Sequence, residues 1–560
     1  MTKEAIAIKN SALWAAYGDA LGFITELADT KSLHWRTKAP RVAQTVSWRR
    51  VIGGKFGVEA TLPAGCYSDD TQLRLATSRA IRGDGKFDVE AFAKVELAVW
   101  LSYALGAGRG TKLAAASLKS PDVAWFSNFF DKSKVRYIDC GGNGAAMRIQ
   151  PHVWAASNRS KPQNYLLDVI RNAVCTHGHL RGILGAVFHA LCLATTLEEG
   201  RVAGPDAWLG AVNFFPKLVP LMREDPDLGT IWLSVWEKRV GRSIETAITE
   251  VRDECQADLV VANQFTYERS DASYCRLVEA LGGLTDKERG SGTKTAIIAA
   301  ALSWIHRDDF PATAMVKAAN LLGSDTDSIA TMAGAILGAV SSEPPRGAVL
   351  DEEYVVFEAS RMDRLSKKEN VETFVYPDLF EWHPPKTQLD GVGRINDALA
   401  LAGLAKAKEL EPPLESRKKE DAVWQWLRLE FGQSVFAKRR ETPNVLAEGN
   451  APLPCTLVSR EVVSKTKAAN QQIPRSRYPE QRDLIDRGDS GKHIEKTLPV
   501  SIDQLTGDAI KSDFDEELIG KHLMILALGP NGIEHAVAYA SILVKARMAR
   551  LQSAKNGNQS

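Results

Sequence analysis

At 560 residues the chain is long enough for several hydrophobic cores, since domains have about 100–200 residues each. Its 44% hydrophobic and 25% charged residues are typical of a globular protein, and a formal net charge of +1 gives no electrostatic argument for a nucleic-acid or membrane partner. Seven cysteines without a Cys-x-x-Cys pair, and an N-terminus without a continuous apolar segment, favour a cytoplasmic protein with reduced thiols over a secreted or zinc-binding one.

The first part of the chain, to about Val340, has apolar residues at helical spacing. The pattern that follows Asp88, an expected N-cap, recurs at 183–191 and 297–305. Many positions on these faces are Ala or Gly, which lets helices approach closely. This part is therefore predicted to be a compact all-α domain.

After Val340 the chain becomes more polar, and Pro344 and Pro345 cannot continue a helix. We predict a catalytic domain at 1–345, a linker or packing segment at 346–420, and an accessory domain at 421–560. The last two form a smaller α+β region of unknown fold. The elements expected there are a strand at 372–376, a helix at 423–436, a buried strand or short helix at 521–529, and a final helix at 536–552.

Three acidic clusters lie at or near the starts of predicted helices or along their faces. They are Gly18-Asp19-Ala20-Leu21-Gly22 with Glu26, then Ser68-Asp69-Asp70-Thr71, and then Ser324-Asp325-Thr326-Asp327-Ser328. Ser, Thr and Asp are common helix caps, so capping explains part of each pattern. Capping needs one acceptor, however, and the additional carboxylates repel one another unless a cation compensates them. Mg²⁺ prefers such oxygen ligands, so the residues leave both capping and metal binding open.

Two further segments have residue types suited to ligand contact. Cys140-Gly141-Gly142-Asn143-Gly144 could bring backbone amides close to a phosphate, or could be an ordinary turn. Thr176-His177-Gly178-His179 precedes a helix rich in small residues. Without Cys partners, its two histidines suit a structural or substrate-contacting role better than zinc binding.

In this order, the five segments resemble the ADP-ribosylglycohydrolase family. The matching motifs are GDALG with Glu26, SDDT at 68–71, GNGAAMR ending at Arg148, THGH at 176–179, and GSDTDS at 323–328. The resemblance covers about the first 340 residues and does not extend to the remainder. Three departures are Ser324 and Ser328 in place of Gly and Thr, no proline after His179, and Cys140 and Gly141 in place of Ser and an aromatic residue. All the carboxylates are kept.

The resemblance implies an all-α domain with a cleft that holds two Mg²⁺ ions, or Mn²⁺, and cleavage of the glycosidic bond at C1″ of ADP-ribose. Glu26, Asp69 and Asp70 are the implied candidates for general base, without a ranking. The implied metal ligands are Ser68, Asp69, Asp70, Asp325, Asp327 and Ser328. The implied substrate-binding residues are Gly142, Asn143, Gly144, Met147, Arg148, His177 and His179.

Two alternatives stay open at the level of sequence. The chain could bind ADP-ribose, or neutralise an ADP-ribosylating toxin as an immunity protein, with binding more important than turnover. It could also be a metallohydrolase of the same fold acting on a guanidino compound or a free nucleotide. An ADP-ribosylated protein is the expected substrate, and the C-terminal region is a possible surface for a protein partner.

Overall fold

The computed structural model describes residues 2–54, 57–267, 270–416, 421–453 and 501–528, with separate positions between 535 and 550. The chain divides into two compact units, Met1–Ala469 and Asn470–Ser560.

Helices dominate the first unit. In chain order they are α1 (Lys3–Thr25), α2 (Thr30–Thr37), α3 (Asp69–Ala80), α4 (Val89–Ala91), α5 (Leu97–Trp100), α6 (Arg109–Ser117), α7 (Gln150–Trp154), α8 (Gln163–Val174), α9 (Leu180–Glu199), α10 (Pro205–Phe214), α11 (Leu218–Glu224), α12 (Leu233–Val240), α13 (Ile244–Thr266), α14 (Asp271–Ala280), α15 (Gly292–Ile305), α16 (Ala312–Asn320), α17 (Thr326–Gly338) and α18 (Glu352–Ser366). A π-helical turn, Phe92–Glu96, joins α4 to α5, and another, Leu228–Trp232, precedes α12.

The strands form three antiparallel sheets. They are β1 (Trp48–Ile52), β2 (Val58–Leu62), β3 (Asp131–Lys132), β4 (Val135–Arg136), β5 (Val392–Ile395), β6 (Ala398–Leu401), β7 (Ala405–Glu409), β8 (Leu414–Glu415), β9 (Val423–Leu429) and β10 (Ser434–Arg439). β1 pairs with β2 and β3 with β4, while the larger sheet has the order β10-β9-β7-β6-β5, with β8 also paired to β9.

The packing of α1 against α17 requires small residues on both helices. A Cβ added at Gly18 would lie 2.3 Å from the carbonyl oxygen of Ala330, and one added at Gly334 would lie 2.3 Å from that of Trp14. Only glycine allows backbones to approach so closely. This contact places the end of α1 beside the start of α17, where two of the acidic clusters lie.

Buried polar side chains connect the larger sheet to the helices. Arg79 on α3 donates to Glu96 Oε1 at 2.7 Å and to Gln433 Oε1, between β9 and β10, at 2.8 Å. Tyr376 donates to the same carboxylate at 2.8 Å. Because Arg79 and Glu96 are fully buried, each depends on the other for its compensating charge.

The second unit contains α19 (Ile502–Lys511) and α20 (Glu516–Ala527). Its described apolar cluster includes Leu505, Phe514 and Leu526. His522 and Tyr539 form a hydrogen bond of 2.7 Å between Nδ1 and the hydroxyl oxygen.

The prediction of an all-α domain followed by a smaller α+β region is confirmed, with two short strand pairs set among the helices. The helices expected at 183–191 and 297–305 are α9 and α15. Asp88 caps α4 as expected, since its Oδ1 accepts from the Ala91 N–H at 2.9 Å. The predicted division into domains at about 345 and 420 concerns independent folding, and it stays a prediction.

Two expected elements are wrong. Residues 423–436 form the β9–β10 hairpin and not a helix: β-branched and aromatic residues favour strands, and Gly432, at φ +108°, lies in the turn between them. Residues 372–376 form no strand, because Phe374 packs against Phe431 and Tyr376 bonds to Glu96. The segment 521–529 falls largely in α20, one of its two expected states, and most of the expected final helix lies outside the described residues.

Among the described residues, α9 is long and apolar enough to cross a membrane by length and composition alone. In the structure 78% of its apolar stretch is buried, mainly against α15 and α8, which is the environment of a core helix.

Candidate active site

The first turn of α3 is capped from another helix. Both oxygens of the buried Asp19 side chain on α1 accept backbone hydrogen bonds of 2.8 Å, Oδ1 from Ser68 and Oδ2 from Thr71. Ser68 is the N-cap, and its Oγ accepts from the Asp70 N–H at 3.2 Å. The N–H groups at this helix end are thereby satisfied without the carboxylates of Asp69 and Asp70.

The Asp69 side chain is held by a neighbouring loop. Its Oδ1 accepts from the Ala107 N–H at 2.7 Å, and its own N–H donates to the Leu105 carbonyl at 2.8 Å. Gly106 has φ +84°, and a Cβ added there would lie 2.6 Å from Asp69 Oδ1. The loop therefore needs glycine to let the carboxylate sit against its backbone.

Asp70 has a different environment. It is only 1% exposed, and its Oδ2 has no hydrogen-bond partner among the described residues. The nearby Arg74 donates to Thr71 and Thr331, and two of its nitrogens have no described acceptor. A buried carboxylate oxygen without a donor is costly, so a compensating group is expected beside it.

The third acidic cluster lies at the start of α17. Asp325 Oδ2 accepts from Asn143 Nδ2 at 2.9 Å, and Asp327 Oδ1 accepts from the Ser328 N–H at 2.9 Å. Thr326 Oγ1 donates to the Gly22 carbonyl at 2.8 Å, which fixes this helix start against α1. Helix α1 thus positions the start of α17 as well as the start of α3.

Glu26, the C-cap of α1, is held by an ion pair. Arg50 Nη2 donates to Glu26 Oε2 at 2.9 Å, and both side chains are largely buried. The Arg50 guanidinium also lies 4.3 Å from the ring centroid of Phe23. A change in this ion pair would be needed for Glu26 to move toward the other acids.

The electrostatics of the site reflect burial and mutual repulsion. Burial, followed by the charge of Glu26, raises the pKa of Asp69 to about 8. Burial and the charge of Asp19 hold the pKa of Asp70 well above its usual range, and burial and Glu26 do the same for Asp327. Burial also raises the pKa of Asp325. Each direction indicates a site that favours added positive charge, either protons or cations.

The glycine loop at 141–144 pairs with the segment before α15. The Asn143 N–H donates to the Gly290 carbonyl and the Gly292 N–H to the Gly141 carbonyl, both at 2.9 Å. Besides Asp325, the Asn143 amide reaches Thr295 Oγ1 at 3.3 Å. The loop is therefore a positioned part of the site and not an ordinary exposed turn.

The other predicted substrate-binding residues, Arg148, His177 and His179, have different positions relative to the cavity. Arg148 is fully buried behind the loop and donates to the Gly144 carbonyl at 3.1 Å, to the Asn172 carbonyl at 2.9 Å and to Thr176 Oγ1 at 2.8 Å. His179 is the N-cap of α9, and its Nδ1 accepts from the Arg181 N–H at 3.1 Å.

His177 lies on the cavity side of the same segment. Its Nδ1 is 2.7 Å from Thr176 Oγ1, and its Nε2 is near Gly144. Burial, with the nearby charge of Arg148, lowers the pKa of His177 to about 3. The imidazole is therefore neutral at physiological pH.

These elements surround a cavity of about 470 Å³. The predicted residues that line it are Glu26, Asp69, Asp70, Gly142, Asn143, Gly144, Met147, His177, Asp325, Asp327 and Ser328. Ser68, Arg148 and His179 are not among its lining residues. The structure thus brings together residues of all five predicted segments, which lie between Glu26 and Ser328 in the chain.

Sequence reasoning missed three contributors. Arg109 and Arg289 line the cavity, and Asp19 supports it from behind. The signals were present: Arg109 lies in the glycine-rich GAGRG, Arg289 precedes Gly290-Ser291-Gly292, and Asp19 lies inside GDALG. Only the fold reveals that they converge.

The residues present suit a hard divalent cation. Asp69 and Asp70 line the cavity from the start of α3, Asp325, Asp327 and Ser328 line it from the start of α17, and Asp70 contributes an oxygen without a described donor. Within the described part of the chain, no group of three or more His, Cys, Asp or Glu side chains is already arranged to hold a metal ion. Serine oxygens and water are ligands beyond those four residue types, and Mg²⁺ usually keeps several waters.

The first unit is thus a mainly helical domain with an acid-lined cavity between the starts of α3 and α17. A model of the ADP-ribosylglycohydrolase family matches residues 8–343, more than half of the chain, and the chain belongs to this family. Glycohydrolase activity on ADP-ribosylated substrates in general follows from membership, and the family is generally metal-dependent.

A solved structure described as an ADP-ribosylglycohydrolase-related protein complex is also similar. It shares 19% identity with a TM-score of 0.41, over 65% of this chain and 100% of its own. No curated protein matches the chain.

Proposed function

We propose that this chain is a hydrolase that removes ADP-ribose from a modified protein or other target by metal-assisted cleavage of the C1″ glycosidic bond. The observation that carries the proposal is the convergence of five acidic side chains on one cavity. Glu26, Asp69, Asp70, Asp325 and Asp327 all line it, although they come from three distant segments. Their mutual repulsion supports a role for two Mg²⁺ ions, or Mn²⁺, held by Ser68, Ser328 and the four aspartates.

When bound, such ions would orient the ribose hydroxyls and polarise an attacking water. The chain's own residues supply the geometry. The Ala107 N–H fixes Asp69 and Asn143 fixes Asp325, so neither carboxylate has to reorganise during the reaction. Glu26, Asp69 and Asp70 are the proposed candidates to take a proton from the attacking water, a contribution of about 10²–10⁴-fold for a general base.

The same cavity has groups suited to the diphosphate of ADP-ribose. Arg109 and Arg289 line it together with the backbone of Gly142 and Gly144. Guanidinium groups and backbone amides are the usual partners of phosphate oxygens. Neutral His177 would accept or donate one hydrogen bond to the substrate without adding charge.

The alternative of a binding or toxin-neutralising protein is less well supported. A protein that only binds ADP-ribose has no need for a cluster of buried carboxylates, because these repel a diphosphate unless cations are present. The proposal includes a cytoplasmic location and an ADP-ribosylated protein as substrate, with a further partner at the C-terminal region.

The test is release of ADP-ribose from targets modified on Arg, on Ser and on nucleic acid, each in Mg²⁺ and in EDTA. We expect release from at least one linkage in Mg²⁺ and its loss in EDTA. Binding of ADP-ribose without release from any target would support the alternative. Unchanged release in EDTA would contradict the metal-assisted reaction.

A further inference from the structure

A second cavity, of about 420 Å³, lies next to the candidate active site. Gly106 lines it, whereas the following residue, Ala107, lines the acidic cavity. Its other walls come from β1, the segment after α5, α6 and the larger sheet. The loop that holds Asp69 is thus shared by two cavities of different character.

The charge of this second cavity is entirely positive. Arg50, Lys112 and Lys438 line it, and there is no Asp or Glu among its described lining residues. In the acidic cavity, by contrast, carboxylates outnumber cations. Arg50 is paired with Glu26, and an anion in so small a volume would lie close to all three cations.

The second cavity also has an aromatic wall, the ring of Trp424. Trp424 lines the cavity, and the Lys438 ammonium lies 5.8 Å from the centroid of its ring. Gly53, at φ +85°, packs so closely that an added Cβ would lie 2.9 Å from Trp424 Cζ2. The ring is therefore held in one place as a wall.

Two of the lining side chains have donors to spare. Arg50 uses Nη2 for Glu26, while its buried Nη1 has no acceptor among the described residues. The buried indole Nε1 of Trp424 also has none. Buried donors normally have an acceptor, and either atom could donate to a ligand oxygen after its side chain turns toward the cavity, because both are closed to solvent in this arrangement.

We propose that this cavity binds a small phosphate-bearing molecule, with Arg50, Lys112 and Lys438 around the phosphate. Arginine and lysine are the side chains that bind phosphate, and the volume accepts a ligand as large as a nucleoside monophosphate against Trp424. A ligand that engages Arg50 competes with Glu26 for the same guanidinium. The site is therefore placed to influence the acidic cavity, although its binding does not depend on the proposed function.

Binding is measured by calorimetric titration of the full chain with inorganic phosphate and, separately, with AMP. The variants are Lys438→Gln and Lys112→Gln. The matched control is Lys406→Gln, which removes the same charge from an exposed position on β7 of the same sheet. Arg109→Gln reports on the acidic cavity, and thermal melts establish that each variant is folded.

We expect Lys438→Gln and Lys112→Gln each to weaken binding about tenfold, while Lys406→Gln and Arg109→Gln change it less than twofold. If inorganic phosphate binds with this dependence on the two lysines, the phosphate group alone is sufficient for binding. If AMP binds more tightly than phosphate, the adenine base contacts the Trp424 ring. Binding that is lost in Arg109→Gln but kept in Lys438→Gln would overturn the proposal. So would no binding of either probe by folded wild-type protein.

Discussion

The carboxylate of Asp19 accepts a hydrogen bond from the backbone N–H of Thr71 at 2.8 Å, across 52 positions of sequence. With its other oxygen bonded to the Ser68 N–H, it caps α3 from α1. An aspartate from another helix therefore shares the capping of α3 with the local N-cap, Ser68. This leaves Asp69 and Asp70 available to face the cavity.

Asp19→Ala should reduce both stability and activity. Loss of an N-cap costs about 0.5–2 kcal/mol, and the freed first turn would let Asp70 shift. Asp88→Ala is the matched control, because Asp88 caps α4, none of whose residues lines the cavity. Urea unfolding and ADP-ribose release measure the two effects. Equal activity of the two variants at equal loss of stability would contradict a positioning role for Asp19.

Much of the fold could be predicted because helical periodicity is a local signal. Helices α3, α9, α15 and α17 follow it closely. The β9–β10 hairpin could not be predicted in the same way. In Trp424-Gln425-Trp426 even the glutamine is buried, so the alternation that distinguishes a strand is missing. The segment is also stabilised by pairing with β7, as between Ala407 and Leu429, and such pairing leaves no local signal in the sequence.

The site could be predicted as far as each motif carries its own chemistry. Paired carboxylates at a helix start single out Asp69, Asp70, Asp325 and Asp327, but only the family resemblance implies that they bind metal. Whether a side chain points into the cavity or behind it depends on packing between distant helices. Arg148 illustrates this, since the segment around it predicts ligand contact, but the fold buries its guanidinium against Asn172.

The double substitution Asp69→Asn with Asp70→Asn should abolish turnover without unfolding the protein. Removing two carboxylates that repel each other should be neutral or stabilising when no cation is bound. We therefore expect the melting temperature of wild-type protein to rise in Mg²⁺ relative to EDTA, and that of the variant to be unchanged. Asp309→Asn, which is paired with His306 and does not line the cavity, serves as a control that should keep the Mg²⁺ response. If the variant still hydrolysed its substrate at the wild-type rate, the SDDT motif at 68–71 would have a structural role only.

Stability should fall in mild acid because of His189. Burial, followed by the charge of Arg74, lowers the pKa of His189 to about 3, whereas an unfolded histidine has a pKa of about 6.5. Between these two pKa values the unfolded chain binds more protons than the folded protein does. The contribution of His189 to stability is therefore complete above pH 6.5 and is lost as the pH decreases below it. The slope for one such group is about 1.4 kcal/mol per pH unit.

His189→Leu isolates this contribution from those of other groups. Urea unfolding of both proteins at pH 7.5, 6.5, 5.5 and 4.5 gives the difference in free energy at each pH. We expect that difference to be constant above pH 6.5 and to shift in favour of the variant below it. A difference independent of pH would mean that the folded protein accommodates a charged His189.

The region after residue 345 should be needed to hold the SDDT segment. Asp351 Oδ2 accepts from the Tyr67 hydroxyl at 2.8 Å and from the Ser434 N–H at 2.6 Å, and Arg428 pairs with Oδ1 at 2.5 Å. Tyr67 immediately precedes Ser68. Asp351→Ala would leave the buried Tyr67 hydroxyl and Ser434 N–H without an acceptor, which costs about 1–3 kcal/mol for each group. We also expect reduced ADP-ribose release.

Asp390→Ala is the control, because Asp390 pairs with Arg440 at a partly exposed position and should cost about 0–1 kcal/mol. A chain that ends at Gly347 extends the test to the predicted domain boundary. It lacks Asp351 and every strand from β5 onward. We therefore expect it to be unstable and inactive, a larger loss than that expected for Asp351→Ala. Circular dichroism, thermal melts and ADP-ribose release decide the matter. If the shortened chain were soluble, folded and active, the catalytic domain would end near residue 345, and the contacts of Asp351 would be dispensable for the chemistry.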